Sequence, residues 1–259
     1  MTARLDGRHI AVTGAAQGIG LAIAEAFLAE GADLFLLDRD GAALAAAADR
    51  LAATYPGRRI ALAEADIADA ARIARVFAEA GSARAFDGLV NNAGSNVFHT
   101  PLETSEAEWR RCFAINLDGA WACARAVLPG MIAAEHGVIL NIASTHAFTI
   151  IPGTFPYPVA KHALLGLTRS LALEYADRGI RVNALAPGYV ATQKVLDWWA
   201  GHPDPAAAEA GTLALHPQKR IATPEEIARA AIFMISDECP FMTAACLTVD
   251  GGLSVRQHA

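Results

Sequence analysis

Seven short apolar runs, at residues 8–13, 32–37, 59–64, 87–91, 137–142, 180–185 and 245–249, alternate with longer stretches of helical character along nearly the whole chain. A run that is apolar at successive positions, rather than at every second one, needs cover on both faces. The alternation of such strands with helices is the βαβ unit of a parallel sheet. The order of elements therefore predicts an α/β fold: one doubly wound parallel sheet with helices on both faces, spanning 1–259 as a single domain. Helices are expected at 18–30, at 69–80, in a long run from 105 towards 135, around Tyr157 and Lys161, and from Pro224 to about Ser236. Alanine-rich 42–48 is a further good helix former. One stretch breaks the rhythm. Between Pro187 and Thr223 clean periods are few, prolines recur and a Trp198-Trp199 pair stands alone, so 188–223 reads as a lid inserted before the last helix-strand unit.

With 54% hydrophobic and 19% charged residues among 259, apolar surface is ample and no tract is polar enough to predict disorder. A formal net charge of −6 gives no basic stripe for a nucleic-acid backbone or an anionic membrane, so neither is an expected partner. No apolar run reaches the ~18 residues of a membrane span. The stretch from Met1 to Gly7 leads into the first strand without a signal-peptide core. Cys112, Cys123, Cys239 and Cys246 show no Cys-x-x-Cys spacing and fall in segments that read as packed, which predicts reduced core thiols in a cytoplasmic protein. The eight His residues show no ligand spacing, and no metal is expected.

Thr13-Gly14-Ala15-Ala16-Gln17-Gly18-Ile19-Gly20 lies where the first strand meets the first helix. Glycines there let the backbone approach a pyrophosphate, and the helix N-terminus offers unpaired N–H groups to the anion; the plainer reading is a tight turn. Asp38 ends the second strand. Its carboxylate either accepts hydrogen bonds from an adenosine ribose or caps the following helix. In the first role it repels a 2′-phosphate and selects NAD over NADP, with the adjacent Arg39 working the other way. Asp66-Ile67 and Asn91-Asn92-Ala93-Gly94 follow the third and fourth strands, at the carboxyl ends where open parallel sheets bind ligands. Taken singly, each is also an ordinary Asx turn. Tyr157 and Lys161 stand one helical turn apart, behind the hydroxyl of Ser144. An unperturbed phenol titrates near ~10, and the Lys161 charge is expected to favour its ionised form and make it a usable base.

Together these strings resemble the short-chain dehydrogenase/reductase family from Arg8 to Leu253. Thr-Gly-x-x-x-Gly-x-Gly matches Thr13 to Gly20, Asn-Asn-Ala-Gly matches Asn91 to Gly94, and Tyr-x-x-x-Lys matches Tyr157 and Lys161. The family's Ser matches Ser144, its catalytic Asn matches Asn116, and its Pro-Gly matches Pro187-Gly188. The resemblance implies a Rossmann-like sheet and hydride transfer between NAD and a carbinol carbon. It implies a cofactor held by Gly14, Gln17, Gly18, Ile19, Gly20, Asp38, Asp66, Ile67, Asn92 and Gly94, with Pro187, Val190, Thr192, Tyr157 and Lys161 at the nicotinamide end. Tyr157 would act as general base or acid, and Lys161 would depress its pKa and hold the nicotinamide ribose. Ser144 would bond the substrate oxygen, and Asn116 would position a relay water. A homotetramer is the family's common assembly.

The substrate is less constrained. Ser144, Tyr157, Asn96, His146, Gln193 and Trp198 are the expected contacts, with Phe148 and His216 as further candidates. Hydrogen-bonding groups beside a flat ring suit a polyhydroxylated small molecule, although the Trp pair equally suits an anchor for the lid. Residues 141–148, 155–158 and 215–217 resemble bacterial sugar-acid dehydrogenases similar to 2-keto-3-deoxy-L-fuconate 4-dehydrogenase. A sugar acid calls for a cation, for which Lys194, Lys219 and Arg220 are candidates, as is Arg256 reaching over from a neighbouring subunit. A 3-oxoacyl reductase, a 3-hydroxybutyrate-type dehydrogenase and a catalytically silent NAD-binding scaffold are the alternatives.

Overall fold

The computed structural model describes residues 3–256. The chain begins with β1 (His9–Thr13), α1 (Gly18–Ala29), β2 (Asp33–Asp38), α2 (Gly41–Thr54), β3 (Ile60–Glu64), α3 (Ala70–Gly81) and β4 (Gly88–Asn91). A two-residue strand, β5 (Phe98–His99), precedes α4 (Glu106–Phe113), which continues through a π-helical segment at Ala114–Asp118 into α5 (Gly119–Ala133). Next come β6 (Gly137–Ile142), β7 (Phe155–Pro156), α6 (Tyr157–Tyr175) and β8 (Ile180–Pro187). Two helices, α7 (Gln193–Ala200) and α8 (Pro205–Leu215), occupy the lid, and α9 (Pro224–Ile235) and β9 (Cys246–Val249) complete the sheet.

The sheet has seven strands, all parallel, in the order β3-β2-β1-β4-β6-β8-β9. The winding reverses between β1 and β4, which opens a crevice at their carboxyl ends. Successive strand residues feed opposite layers: Ile10 and Val12 join the core under α1 and α9, whereas Ala11 joins the one under α3 and α5. The same alternation puts Val138 and Leu140 on one face and Ile139 on the other. Each fully buried Leu, Ile or Phe contributes about 1.5–3 kcal/mol, so two filled layers explain why runs without polar interruption are required.

Helix starts are set by local chemistry. Ser105 and Thr223 each form a capping box, with Glu108 and Glu226 respectively, and Pro224 occupies the first turn of α9. The cap of α2 is Asp40, whose side chain accepts from the Ala43 N–H, so Asp38 does not cap that helix. The 188–223 stretch, expected to be a lid, holds two helices. A short α7 and an alanine-rich α8 bounded by prolines give little periodic contrast, which is why the pattern was faint. Trp199 is buried and its Nε1 donates to Thr212 Oγ1 at 3.1 Å, pinning α7 to α8. Two further features left no periodic trace: the antiparallel β5–β7 ribbon, only two residues a side, and the π-helical segment inside the long helical run. Of the cysteines, Cys112 and Cys123 are core thiols, but Cys239 sits half-buried in the turn after α9 and Cys246 is half-buried on the edge strand β9.

Candidate active site

The turn from β1 into α1 is held by its neighbours. Thr13 Oγ1 accepts from the Asn92 and Ala93 N–H groups at 3.1 and 3.0 Å, and Asn92 Nδ2 donates to the carbonyls of Thr13 and Gly14, both at 3.0 Å. Asn92 thus clips the end of β4 to the turn after β1. Gly14 takes φ +66° there, a conformation few L-residues adopt, and a Cβ on Gly20 would lie 2.1 Å from the Gly14 carbonyl oxygen. This clipped turn borders a cavity of about 520 Å³ lined by Gly14, Gln17, Gly18, Ile19, Asp38, Asp66, Ile67, Asn92, Gly94 and Thr192. Those are the expected cofactor residues, apart from Gly20, whose missing side chain lets the turn close, and from Pro187, Val190, Tyr157 and Lys161, expected with Thr192 at the nicotinamide end. The volume and the close backbone packing fit a dinucleotide laid across the sheet's reversal point. Asp38 is fixed towards the glycine-rich turn, accepting from the Ala16 N–H at 3.0 Å and the Asp40 N–H at 3.1 Å.

A second cavity of about 470 Å³ shares Ile19, Asn92, Gly94, Thr192 and Lys194 with the first. Into it come Ser144 from just beyond β6, Tyr157 and Lys161 from the first turns of α6, Pro187 from the end of β8 and Val190 from the loop after it. Asn96 and His146 also line it, and the His146, Phe98 and Tyr157 rings pack edge to face. Lys161 is buried, its Nζ donating to the Ile142 carbonyl at 2.9 Å and lying 5.5 Å from the centre of the Tyr157 ring. Burial pushes the Tyr157 phenol up to about 12, opposed by the Ser144 hydroxyl, and brings the Lys161 ammonium down to about 8. Desolvation is the largest influence on Tyr157 in this structure, and the Lys161 ammonium is committed to a carbonyl and faces the ring. Burial also lowers the His146 pKa.

Asn116 lies in the π-helical segment, 2% exposed, and lines neither cavity. Its Nδ2 donates to the carbonyls of Ser95 and Cys112, both at 2.9 Å, and its Oδ1 accepts from the Ser95 N–H at 3.2 Å. It thereby fastens the loop that carries Gly94 to the helix behind it.

Several expected substrate contacts lie elsewhere. Trp198 is half exposed, packs on His202 and lines neither cavity. Gln193 borders the cofactor cavity and gives its amide to Asp197 at 2.8 Å. Phe148 is turned out to solvent, while His216 is buried beneath the Tyr189 ring with its Nδ1 paired to the Thr212 carbonyl. The residues that do line the pocket include Tyr189, Thr149, Ile150 and Ser254, none of which carries a motif. Arg256 lines this chain's own pocket. Among the described residues, no group of three or more His, Cys, Asp or Glu is placed to hold a metal ion, and no helix is long and apolar enough to cross a membrane.

A family model described as enoyl-(acyl carrier protein) reductase matches residues 14–254. The chain belongs to the short-chain dehydrogenase/reductase family. It is 43% identical to galactitol 2-dehydrogenase (L-tagatose-forming) of Cereibacter sphaeroides over 97% of both chains. It is 38% identical to 2-(S)-hydroxypropyl-CoM dehydrogenase 3 of Xanthobacter autotrophicus, covering 98% of this chain and 99% of that one. Among solved structures, L-sorbose reductase of Gluconobacter frateurii, complexed with NADPH and L-sorbose, superposes with a TM-score of 0.94 at 31% identity, covering 99% of this chain and all of the other. As a short-chain dehydrogenase/reductase, this protein is an oxidoreductase of CH–OH groups that uses a nicotinamide cofactor.

Proposed function

We propose that this enzyme moves a hydride between NAD and a secondary alcohol or ketone carbon of a sugar or sugar acid. The observation that carries the reading is the convergence of Ser144, Tyr157 and Lys161 on a pocket that opens into the glycine-lined cavity. When bound, the nicotinamide supplies the hydride acceptor or donor and, oxidised, a positive charge at the reacting centre. Tyr157 takes the substrate hydroxyl proton in oxidation and returns it in reduction. Desolvation favours the protonated phenol, so oxidation should gain as pH rises. Ser144 holds the substrate oxygen against Tyr157. Lys161, anchored by the Ile142 carbonyl, keeps a cation beside the ring and would hold the nicotinamide ribose. Asn116 fixes the adjoining backbone and would hold a water on the proton's route out.

Asp38 on the adenosine side favours NAD, because a 2′-phosphate there would meet a carboxylate. Arg39 and Lys194 border the same cavity and temper that preference. The enzyme works on small molecules, in our reading as a cytoplasmic homotetramer; exposed Leu173, Phe241 and Val255 support association, and light scattering of the purified protein tests it. The test of function is NAD and NADP reduction over a panel of polyols, sugars, sugar acids and 3-hydroxyacids, with Tyr157→Phe alongside. Turnover on a polyhydroxylated substrate, with a loss of about 10³-fold or more in Tyr157→Phe and NAD affinity retained, supports the reading. Preference for a 3-hydroxyacid overturns the substrate class. Turnover indifferent to Tyr157→Phe overturns the mechanism.

A further inference from the structure

We infer that Arg256 is a specificity-determining residue that receives the carboxylate of the substrate, making a sugar acid, and not a neutral polyol, the preferred ligand. The inference rests on the dehydrogenase reading of the same cleft. Arg256 lines the pocket that holds Ser144 and Tyr157 and is absent from the lining of the cofactor cavity. Besides the His146 imidazole, the basic side chains lining that pocket, among the described residues, are Lys161, Lys194 and Arg256, and no Asp or Glu lines it. In a chain of formal net charge −6 this is a local reversal of sign, and a cleft of one sign concentrates ligands of the other.

The three cations are not equivalent. Lys161 is buried and bonded to the Ile142 carbonyl beside the reacting phenol. Lys194 sits on the wall common to both cavities, where the cofactor's own anion competes for it. Arg256 is left at the substrate end.

The backbone also places it. Arg256 Nη1 donates to the carbonyls of Ala214 and Leu215, at the C-terminal end of lid helix α8, where the helix dipole favours a cation. A guanidinium carries five donors in a planar fork, so fixing one nitrogen on α8 orients the rest for a two-point grip on a carboxylate. A neutral polyol of the same length offers that fork only uncharged hydroxyl acceptors and gains less from it.

The experiment compares kcat/KM with NAD for galactonate against galactitol, and for gluconate against glucitol, in the wild type, Arg256→Gln and Arg256→Lys. The expected wild-type ratio of acid to polyol is about 10 or more, falling about tenfold in Arg256→Gln through KM of the acid and partly kept in Arg256→Lys. It should also shrink as salt is raised. A wild-type ratio of one or below, or a ratio unchanged in Arg256→Gln while both rates fall together, overturns the inference and leaves Arg256 as a lid anchor. Absence of NAD-linked turnover on every substrate sinks the dehydrogenase reading, and the inference with it.

Discussion

Replacing Lys161 by Met should stabilise the fold while stopping the enzyme. Lys161 is 4% exposed, and burial brings its ammonium from the ordinary 10.5 to about 8. At about 1.4 kcal/mol for each tenfold change in proton affinity, holding that charge at neutral pH costs the folded state about 3 kcal/mol. Met has a similar length and no charge to desolvate. The substitution also strands the Ile142 carbonyl, which loses its 2.9 Å donor at a cost of about 1–3 kcal/mol. The balance is a gain of about 1 kcal/mol, or about 2–4 °C in Tm for a domain of this size. The gain depends on pH in a defined direction. Below about 8 the lysine is charged in both states and the penalty is complete. Between about 8 and 10.5 the unfolded chain keeps a proton that the folded protein has released, so wild-type stability climbs and the advantage of Met fades. Urea unfolding of both proteins at about pH 7 and about pH 9.5, followed by Trp fluorescence, measures this. A variant less stable than wild type by about 2 kcal/mol at the lower pH, or an advantage that does not shrink at the higher one, refutes the reasoning.

Asp38→Asn removes a charge while keeping an acceptor for the Ala16 N–H, and should raise the NADP-to-NAD ratio of kcat/KM by about 30-fold, the equivalent of about 2 kcal/mol of relieved repulsion. An unchanged ratio in steady-state kinetics would mean that Asp38 does not face the ribose. Gly20→Ala puts a carbon 2.1 Å from the Gly14 carbonyl, so fluorescence titration should show NAD affinity reduced by about 100-fold or more, with a folded protein by circular dichroism. Near-normal affinity would show that the turn has room to move.

The sheet was readable because both faces of each strand are covered, which writes strand and helix into the pattern at first order. Asp38, Asn92 and the glycine turn were readable for the same reason, since residues at strand ends inherit their position from the strand. The pocket walls were not. Tyr189, Thr149 and Ser254 reach the cleft from loops whose course is set by tertiary packing. Trp198 and Trp199 show the limit plainly: adjacent in sequence and about 100° apart around a short helix, one meets solvent and the other ties α7 to α8. The Tyr157 and Lys161 spacing gave their shared face but not their pKa shifts, because spacing records proximity and leaves depth unspecified.

The π-helical segment at Ala114–Asp118 acts as a phase shifter in an otherwise unbroken rod. In a plain α-helix each residue advances about 100°, so α4 and α5 would have to share one apolar stripe. A wider turn resets the angle between them. Each half can then satisfy its own neighbours, while the slack at the joint leaves the Asn116 amide to clamp Ser95 instead of continuing the stripe. The joint, and not any loop, is where this stretch of chain trades regularity for aim.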